Sequence, residues 1–504
     1  MTELAYPTGL KGGPAHLGLW AFRECLRPVQ VFGFRDLAVE GLAFHSAEVR
    51  PGDLFFAIRG TRRNGADHVE EAIARGAVGV VSQVPLNVGC PVFVVHDARR
   101  SLADAACAFY GNPSGALSVV GVTGTNGKTS VVDLIRTCLR ADRKSVGTLG
   151  TLGYEFAGRR IPATNTTPDP LRMQGYLREM VDRGCAAGVV EVSSHALAQD
   201  RVRGVEFDVG VFLNLTQDHL DYHGTMPEYA AAKSRLFSLL RPGAHACVCL
   251  DSPASGVMLG ALDPSVERTT FGMSRDADLR VENLSCSLEG TRFELVMPRG
   301  RVDLWLRLPG EHNVMNALAA ASASLALGVS ELTIASALES ARPVRGRLEL
   351  VGYRSGVRGF VDYAHTPDAL ENVCSTLRAL TPGRLVVVYG CGGDRDQSKR
   401  PLMSEAVARY ADVAILTSDN PRSEDPDEIL DQMEAGLAGK RLDYTRIADR
   451  AEAISSAVRG ARARDTILVA GKGHETYQIF RDSVVPFDDR QVVREALGIV
   501  ETVP

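Results

Sequence analysis

Gly121-Val-Thr-Gly-Thr-Asn-Gly-Lys128-Thr129 joins an apolar run to an amphipathic stretch, and its residue types suit a polyphosphate. Gly124 and Gly127 let backbone N–H groups close around phosphate oxygens, Lys128 can neutralise the terminal phosphates, and the Thr129 hydroxyl can bind Mg²⁺. The spacing is a variant of the usual G-x-x-x-x-G-K-[ST] pattern, because Val122 stands where its first glycine falls and Gly121 comes one residue early. The loop implies nucleotide binding without naming a reaction. Glu191 ends an apolar run, where a carboxylate can hold Mg²⁺ beside Thr129. His219 follows the Asn214–Asp218 loop, and a lone histidine is more often a structural hydrogen-bonder than a ligand. Lys233, within Tyr229–Phe237, reads by itself as a solvated helix lysine.

The elements that must position these residues alternate. Asp53–Ile58 and Pro91–Val95 read as strands, and Asp67–Arg75 and Arg99–Tyr110 as helices. Asn112-Pro-Ser-Gly115 is a turn-rich break. Leu117–Val122 reads as the strand before the phosphate loop and Lys128 to about Arg140 as the helix after it. Strands follow at Gly188–Val192 and Val209–Leu215, with a helix from Asn313 to about Leu327. Ala341-Arg-Pro-Val-Arg-Gly-Arg347 reads as a second linker. Beyond it, strands recur at Gly359–Val361, Leu385–Tyr389, Val413–Thr417 and Thr466–Ala470, each before a polar or glycine-rich loop. Such alternation predicts an α/β fold with a mostly parallel sheet, whose ligands sit beyond the carboxyl ends of the strands.

The 504 residues exceed one ordinary core, so several domains are expected. A net charge of 56 − 61 = −5 argues against a nucleic-acid partner, since no global basic excess exists to displace counterions. Ten cysteines without paired CxxC spacing indicate reduced thiols, and the glycine-rich first 20 residues have no signal-peptide core. No apolar run approaches the roughly 18 residues of a membrane span. A cytosolic protein, without a transmembrane segment, is expected, and a monomer.

Thr123-Gly-Thr-Asn-Gly-Lys-Thr129 resembles the loop of the Mur ligases rather than that of GTPases or kinases. Asn165-Thr-Thr-Pro168, Glu191-Val-Ser-Ser-His195, Asn214-Leu-Thr-Gln-Asp-His219, Ala231-Ala-Lys233 and His312-Asn-Val-Met-Asn316 resemble that family in order. So do Arg345-Gly-Arg347, Asp362-Tyr-Ala-His365, Gly392-Gly-Asp-Arg395, Asp419-Asn-Pro-Arg422 and Gly471-Lys-Gly-His-Glu475. The resemblance spans nearly the whole chain and points to the members that add the third amino acid of the peptidoglycan stem. It implies three domains: residues 1–115 for a UDP-linked substrate, 116–343 as the ATPase, and 344–504 as a Rossmann-like amino-acid-binding domain. It also implies a reaction. A substrate carboxylate attacks the γ-phosphate of ATP, and an incoming amine then displaces phosphate from the acyl phosphate.

Roles follow from the resemblance residue by residue. Gly124, Thr125, Asn126, Gly127, Lys128, Thr129 and Ser130 would surround the phosphates, Asn316 would meet adenine, Arg347 a phosphate, and Asp362 the nucleotide. Lys128, His219 and Lys233 would be catalytic. Magnesium would be held by Thr129, Glu191, His219 and Lys233, the lysine as a CO₂-derived carbamate, which requires a neutral and hence buried amine. Ser46, Asn165, Thr166, Thr167, Ser193, Gln199 and Arg201 would bind the UDP-muramoyl-dipeptide. Arg395, Asp419, Asn420, Pro421, Arg422, Gly471 and Glu475 would bind the amino acid. Arg422 matches the diaminopimelate-adding subgroup, because a guanidinium fork grips a distal carboxylate and would repel the ammonium of lysine.

Two departures stand out. His45-Ser46-Ala47 replaces the family's Asp-Ser-Arg, and His312 replaces an aromatic, as in the ligase that adds D-alanyl-D-alanine. Other readings are that ligase, an L-lysine-adding one, a folate polyglutamate ligase, and an ATP-driven switch that needs no amino-acid site.

Overall fold

Runs of β-branched residues between glycine-rich loops build three large sheets, beside two two-stranded ones, in the computed structural model, which describes residues 17–60 and 64–499. The expected glycine-rich start lies, up to residue 16, outside the described residues. The first sheet orders Gln30–Phe32, Val92–Val94, Gly79–Ser82, Asp53–Phe56 and Gly41–Ala43, parallel except at Gln30–Phe32. The expected helix Asp67–Arg75 is split: Gly65–His68 is a 3-10 turn started by the Asn64 side chain, and the α-helix is Val69–Ala74.

The central sheet has eleven strands. From Val146–Gly150 to Leu279–Ser287 they run parallel, with Ala187–Glu191, Ser118–Thr123 and Phe207–Phe212 adjacent in the middle. Burial on both faces matches their continuous apolar runs. Both edges are antiparallel hairpins, Gly153–Phe156 with Arg159–Ile161 and Gly290–Met297 with Gly300–Leu306. Helices Lys128–Ala141 and Glu311–Ala326 share one apolar cluster against this sheet. The strand expected to reach Leu215 stops at Phe212, and the chain turns there to lay Asn214 against the phosphate loop.

The third sheet orders Glu349–Arg354, Val357–Asp362, Thr466–Ala470, Leu385–Tyr389, Val413–Leu416 and Asp443–Arg446, parallel except at Glu349–Arg354. Insertion of Thr466–Ala470 next to Val357–Asp362 brings loops distant in sequence to one sheet edge. No helix among the described residues is long and apolar enough to cross a membrane.

Candidate active site

The helix Lys128–Ala141 opens on Gly127 at φ 89°, a left-handed conformation that costs glycine little. A Cβ there would lie 2.4 Å from Asn316 Oδ1, so the loop packs directly on the helix Glu311–Ala326. Asn126 N donates to Asn214 Oδ1 at 2.9 Å, which ties the loop to the neighbouring strand's exit. Lys128 Nζ donates to the carbonyls of Gly124 and Thr125, both at 2.8 Å. Burial pushes its pKa down, while the carboxylates of Glu191 and Asp218 pull it up.

Glu191, buried at the end of Ala187–Glu191, is a hub. It accepts from Thr129 Oγ1 at 3.1 Å, Thr151 N at 2.9 Å and Thr151 Oγ1 at 3.1 Å. Arg347 reaches Thr129 Oγ1 at 3.4 Å from the C-terminal side, and its guanidinium lies 4.6 Å over the Tyr363 ring. Arg347 Nε is buried with no hydrogen-bond partner among the described residues. Asp362 is buried and spent on backbone, accepting from Leu348 N at 2.6 Å and Ala364 N at 2.7 Å; burial raises its pKa.

Lys233 lies on the helix Met226–Ser234, whose start is fixed by reciprocal Thr225 and Glu228 bonds. It is 1% exposed, with Nζ 4.5 Å over the Tyr229 ring, and among the described residues no carboxylate forms an ion pair with it. Burial, then the Lys128 charge, push its pKa well below 10.5 against the pull of Asp218. His219 sits in a left-handed conformation at φ 54°, with Nε2 3.3 Å from Asp218 and its ring edge-on to His195 at 4.7 Å. Burial lowers its pKa and Asp218 opposes that. No group of three His, Cys, Asp or Glu side chains among the described residues is placed to hold a metal.

A hydroxyl-lined strip adjoins Glu191. Thr167 Oγ1 donates to the Glu191 carbonyl at 2.7 Å and approaches Ser193 Oγ at 3.3 Å, while Thr166 and Thr151 hydroxyls meet at 3.1 Å. Ser193 caps the helix Ser194–Ala198. Arg201 donates to the Thr167 carbonyl at 3.1 Å and holds Gln199 Oε1 at 2.7 Å.

The third sheet's loops make a second polar pocket. Asn420 Nδ2 donates to Glu475 Oε2 at 2.9 Å, and buried Lys472 donates to Asn420 Oδ1 at 3.0 Å and to Glu475 Oε2 at 2.9 Å. Gly471, at φ 117°, leaves no room for a Cβ, which would lie 2.5 Å from Asp419 Oδ2. Arg422 donates to the Gly393 carbonyl at 2.7 Å and, with Arg395, flanks Gly392. Tyr363 links the two pockets: burial and then the Glu475 carboxylate push its phenol up to about 12, while Arg347 stacks on its ring.

Three family models match in succession: the Mur ligase family catalytic domain at residues 38–110, the Mur ligase middle domain at 122–324, and the Mur ligase glutamate ligase domain at 346–473. A 2,6-diaminopimelate ligase acting on UDP-N-acetylmuramoyl-L-alanyl-D-glutamate, from Geobacillus thermodenitrificans, is 47% identical over 465 residues, which cover 91% of this chain and 95% of that protein. The chain belongs to the Mur ligase family. A solved structure of a ligase with the same name superposes with a TM-score of 0.69 at 33% identity, covering 95% of this chain and 98% of that one. MurF from Acinetobacter baumannii shares the fold, with a TM-score of 0.67 at 18% identity over 96% and 99% of the two chains.

In this Mur ligase the expected residues gather in three groups. Thr129 bonds Glu191 and Arg347, Lys128 lies on Gly124 and Thr125, Asn316 packs on Gly127, and the charges of Lys128 and Lys233 act on His219, with Gly124, Thr125, Gly127 and Ser130 forming the loop and first helical turn. Thr166, Thr167, Ser193, Gln199 and Arg201 are joined as above, and Asn165 enters through its carbonyl, which accepts from Tyr154 Oη at 2.7 Å. Asp419, Asn420, Pro421, Arg422, Gly471, Glu475 and Arg395 share the third. Ser46 stands apart in the turn Ser46–Glu48, facing Glu71, and the Glu48–Arg172 pair at 3.5 Å ties that turn to the central domain. The Asn126 side chain is directed to Asp368, at 2.7 Å. Lys472 and Asp218 lay inside motifs already singled out yet were passed over; Asp368 and Arg450 have no motif of their own.

Proposed function

We propose that this Mur ligase uses ATP to join meso-diaminopimelate to UDP-N-acetylmuramoyl-L-alanyl-D-glutamate, forming an amide bond in a peptidoglycan precursor. The observation that carries the reading is the pairing of two unlike pockets across Tyr363: a lysine- and arginine-lined phosphate loop, and a pocket offering both a guanidinium and a carboxylate. A diamino diacid needs both of the latter, the guanidinium of Arg422 for its distal carboxylate and Glu475 for its ammonium. L-Lysine would bring no carboxylate to the Arg422 guanidinium, which would then keep only its carbonyl contacts.

The cleft fits a magnesium nucleotide. Mg²⁺ takes oxygen ligands, keeps several waters and leans on substrate phosphates, so the Thr129 and Glu191 oxygens suffice without a cage of acids. When bound, ATP with Mg²⁺ supplies the phosphoryl group that makes an unreactive carboxylate displaceable. Lys128, which here donates to two loop carbonyls, would hold phosphate oxygens, and Arg347 would offer its unpaired donor to the same anions. Lys233 is suited to take up CO₂: burial and the Lys128 charge push its amine toward the neutral form, the N–C bond would form with loss of a proton, and the carbamate would place negative charge among cations. His219 completes that side. Thr166, Thr167, Ser193 and Arg201 line the approach to Glu191, where the acid substrate's carboxylate must arrive.

The turn Pro113–Gly115 and the irregular segment after the helix Glu331–Ser340 support domain boundaries near residues 115 and 343. All ten cysteines are free, which supports a reducing, cytoplasmic setting. One chain supplies all three pockets, which supports action as a monomer.

The test is purified protein with ATP, Mg²⁺ and UDP-muramoyl-dipeptide, offered diaminopimelate and lysine in parallel, with the product weighed by mass spectrometry. A product carrying diaminopimelate, with ADP formed only when acid and amine are both present, is expected. Amine-independent ADP release, or a product only with lysine, overturns the reading.

A further inference from the structure

Asp368 stands in the first turn of the C-terminal helix Pro367–Leu380, outside every group of residues considered so far. Its Oδ2 accepts from Asn126 Nδ2 of the phosphate loop at 2.7 Å and from Thr216 Oγ1 at 2.8 Å. Both donors belong to the central domain. Asn372 Nδ2, one turn along the helix, contributes a third bond at 3.3 Å. Thr216 N in turn donates to Thr125 Oγ1 at 3.1 Å, and Asn126 exchanges bonds with Asn214. One carboxylate oxygen therefore closes a ring through the phosphate loop, the exit of Phe207–Phe212 and the C-terminal domain. The short charge-assisted bonds are directional, so the ring forms only when the two domains are in this relative position. The same helix follows directly from Asp362-Tyr363, and Tyr363 carries Arg347 on its ring. A shift of the helix start would move Tyr363, and with it the group that brings Arg347 to Thr129.

We propose that Asp368 is a positioning residue, a latch that couples docking of the C-terminal domain to the geometry of the phosphate loop. It touches no reacting group; it makes the arrangement in which Arg347 meets the phosphate loop the preferred one. Turnover needs that arrangement, whereas initial nucleotide capture by the loop does not, so the two should respond differently to its loss.

This inference rests on the ligase reading, and the assay separates them: if wild-type protein makes no ADP with both substrates, the ligase reading itself fails. Given active wild type, Asp368→Ala is expected to lower kcat at least tenfold, while ATP affinity in the absence of the other substrates changes less than threefold. Small-angle scattering with ATP analogue and acid substrate should show a larger radius of gyration than wild type. Asp368→Asn keeps an acceptor oxygen and should fall between the two. An Asp368→Ala enzyme turning over within twofold of wild type overturns the latch. If that variant does not fold, Asp368→Asn with Thr216→Val decides: the two cut the same ring, so their effects on kcat must combine less than additively, and fully additive effects overturn it.

Discussion

Arg450 is the point where stability and specificity meet. It is fully buried, and Nε and one terminal nitrogen grip the Asp489 carboxylate at 2.7 and 2.8 Å, a bidentate pair with both side chains at 0% exposure. Burial alone would lower the guanidinium pKa; the Asp489 carboxylate more than offsets this. Its remaining donors reach the Ala470 carbonyl at 2.9 Å and the Ser418 carbonyl at 3.4 Å, the strand exits from which Gly471–Glu475 and Asp419–Arg422 depart. Arg450→Met removes the cation and leaves Asp489 buried without a partner, a change of about 3–5 kcal/mol. At roughly 2–4 °C per kcal/mol for a domain of this size, the C-terminal transition should fall by about 6–20 °C in scanning calorimetry. Arg450→Met with Asp489→Leu deletes both charges and should recover most of that loss, because an apolar pair avoids the desolvation cost. Both variants should raise KM for the amino acid more than KM for ATP, since the loosened loops belong to that pocket. A single variant losing less than about 1 kcal/mol, or a double variant no more stable than the single, refutes the unpaired-charge reasoning.

Three further outcomes are expected. Lys233→Ala should abolish ligation, and millimolar formate or acetate should restore part of it by supplying the missing carboxylate; near-normal turnover without added acid would rule out the carbamate. Arg422→Lys should cut kcat/KM for diaminopimelate roughly tenfold or more, the loss of one charge-assisted bond at about 1.5–3 kcal/mol, and an unchanged preference over lysine would remove the guanidinium argument. His312 has its pKa lowered by burial to about 4 from 6.5. The unfolded chain therefore takes up a proton between pH 6.5 and 4 that the folded chain refuses, and stability drops as pH falls through that window. His312→Asn should flatten this part of the stability–pH curve, and an identical slope in the variant would show that His312 is not the titrating group.

The local structure around the candidate site was largely legible because it is contiguous in sequence. A phosphate loop is a contiguous strand–turn–helix, and Gly127, Lys128 and Thr129 lie where their residue types place them. Strands Leu385–Tyr389 and Thr466–Ala470 match their apolar runs residue for residue, since buried parallel strands have no polar face to blur the ends. The antiparallel edge was missed although its signal existed: Glu289-Gly290 and Arg299-Gly300 are turn pairs between strands of alternating burial such as Gly300–Leu306. Arg450 was not legible in the same sense. Its partner and its two carbonyls come from three separate segments, and only the out-of-order insertion of Thr466–Ala470 into the sheet brings them together.

Lys233 shows why local pattern and tertiary burial can give opposite answers for one residue. On a short helix rich in alanine, with no clear apolar stripe, a lysine is ordinarily a solvated cation, and that was the reading of Tyr229–Phe237 by itself. Family resemblance reverses that expectation, and the helix buries Tyr229, Ala230 and Ala232 along with Lys233 while Glu228 and Ala231 stay exposed, so the lysine lies on its dry side. The Lys128 charge opposes protonation against the pull of Asp218, and among the described residues no carboxylate forms an ion pair with the amine. A buried lysine with an ion-pair partner would be an ordinary structural element; one without a partner, beside a second lysine, is under pressure to lose its proton. Burial without an ion-pair partner among the described residues, rather than the lysine itself, is what a carbamate at Lys233 would require, and no window of sequence around residue 233 contains that information.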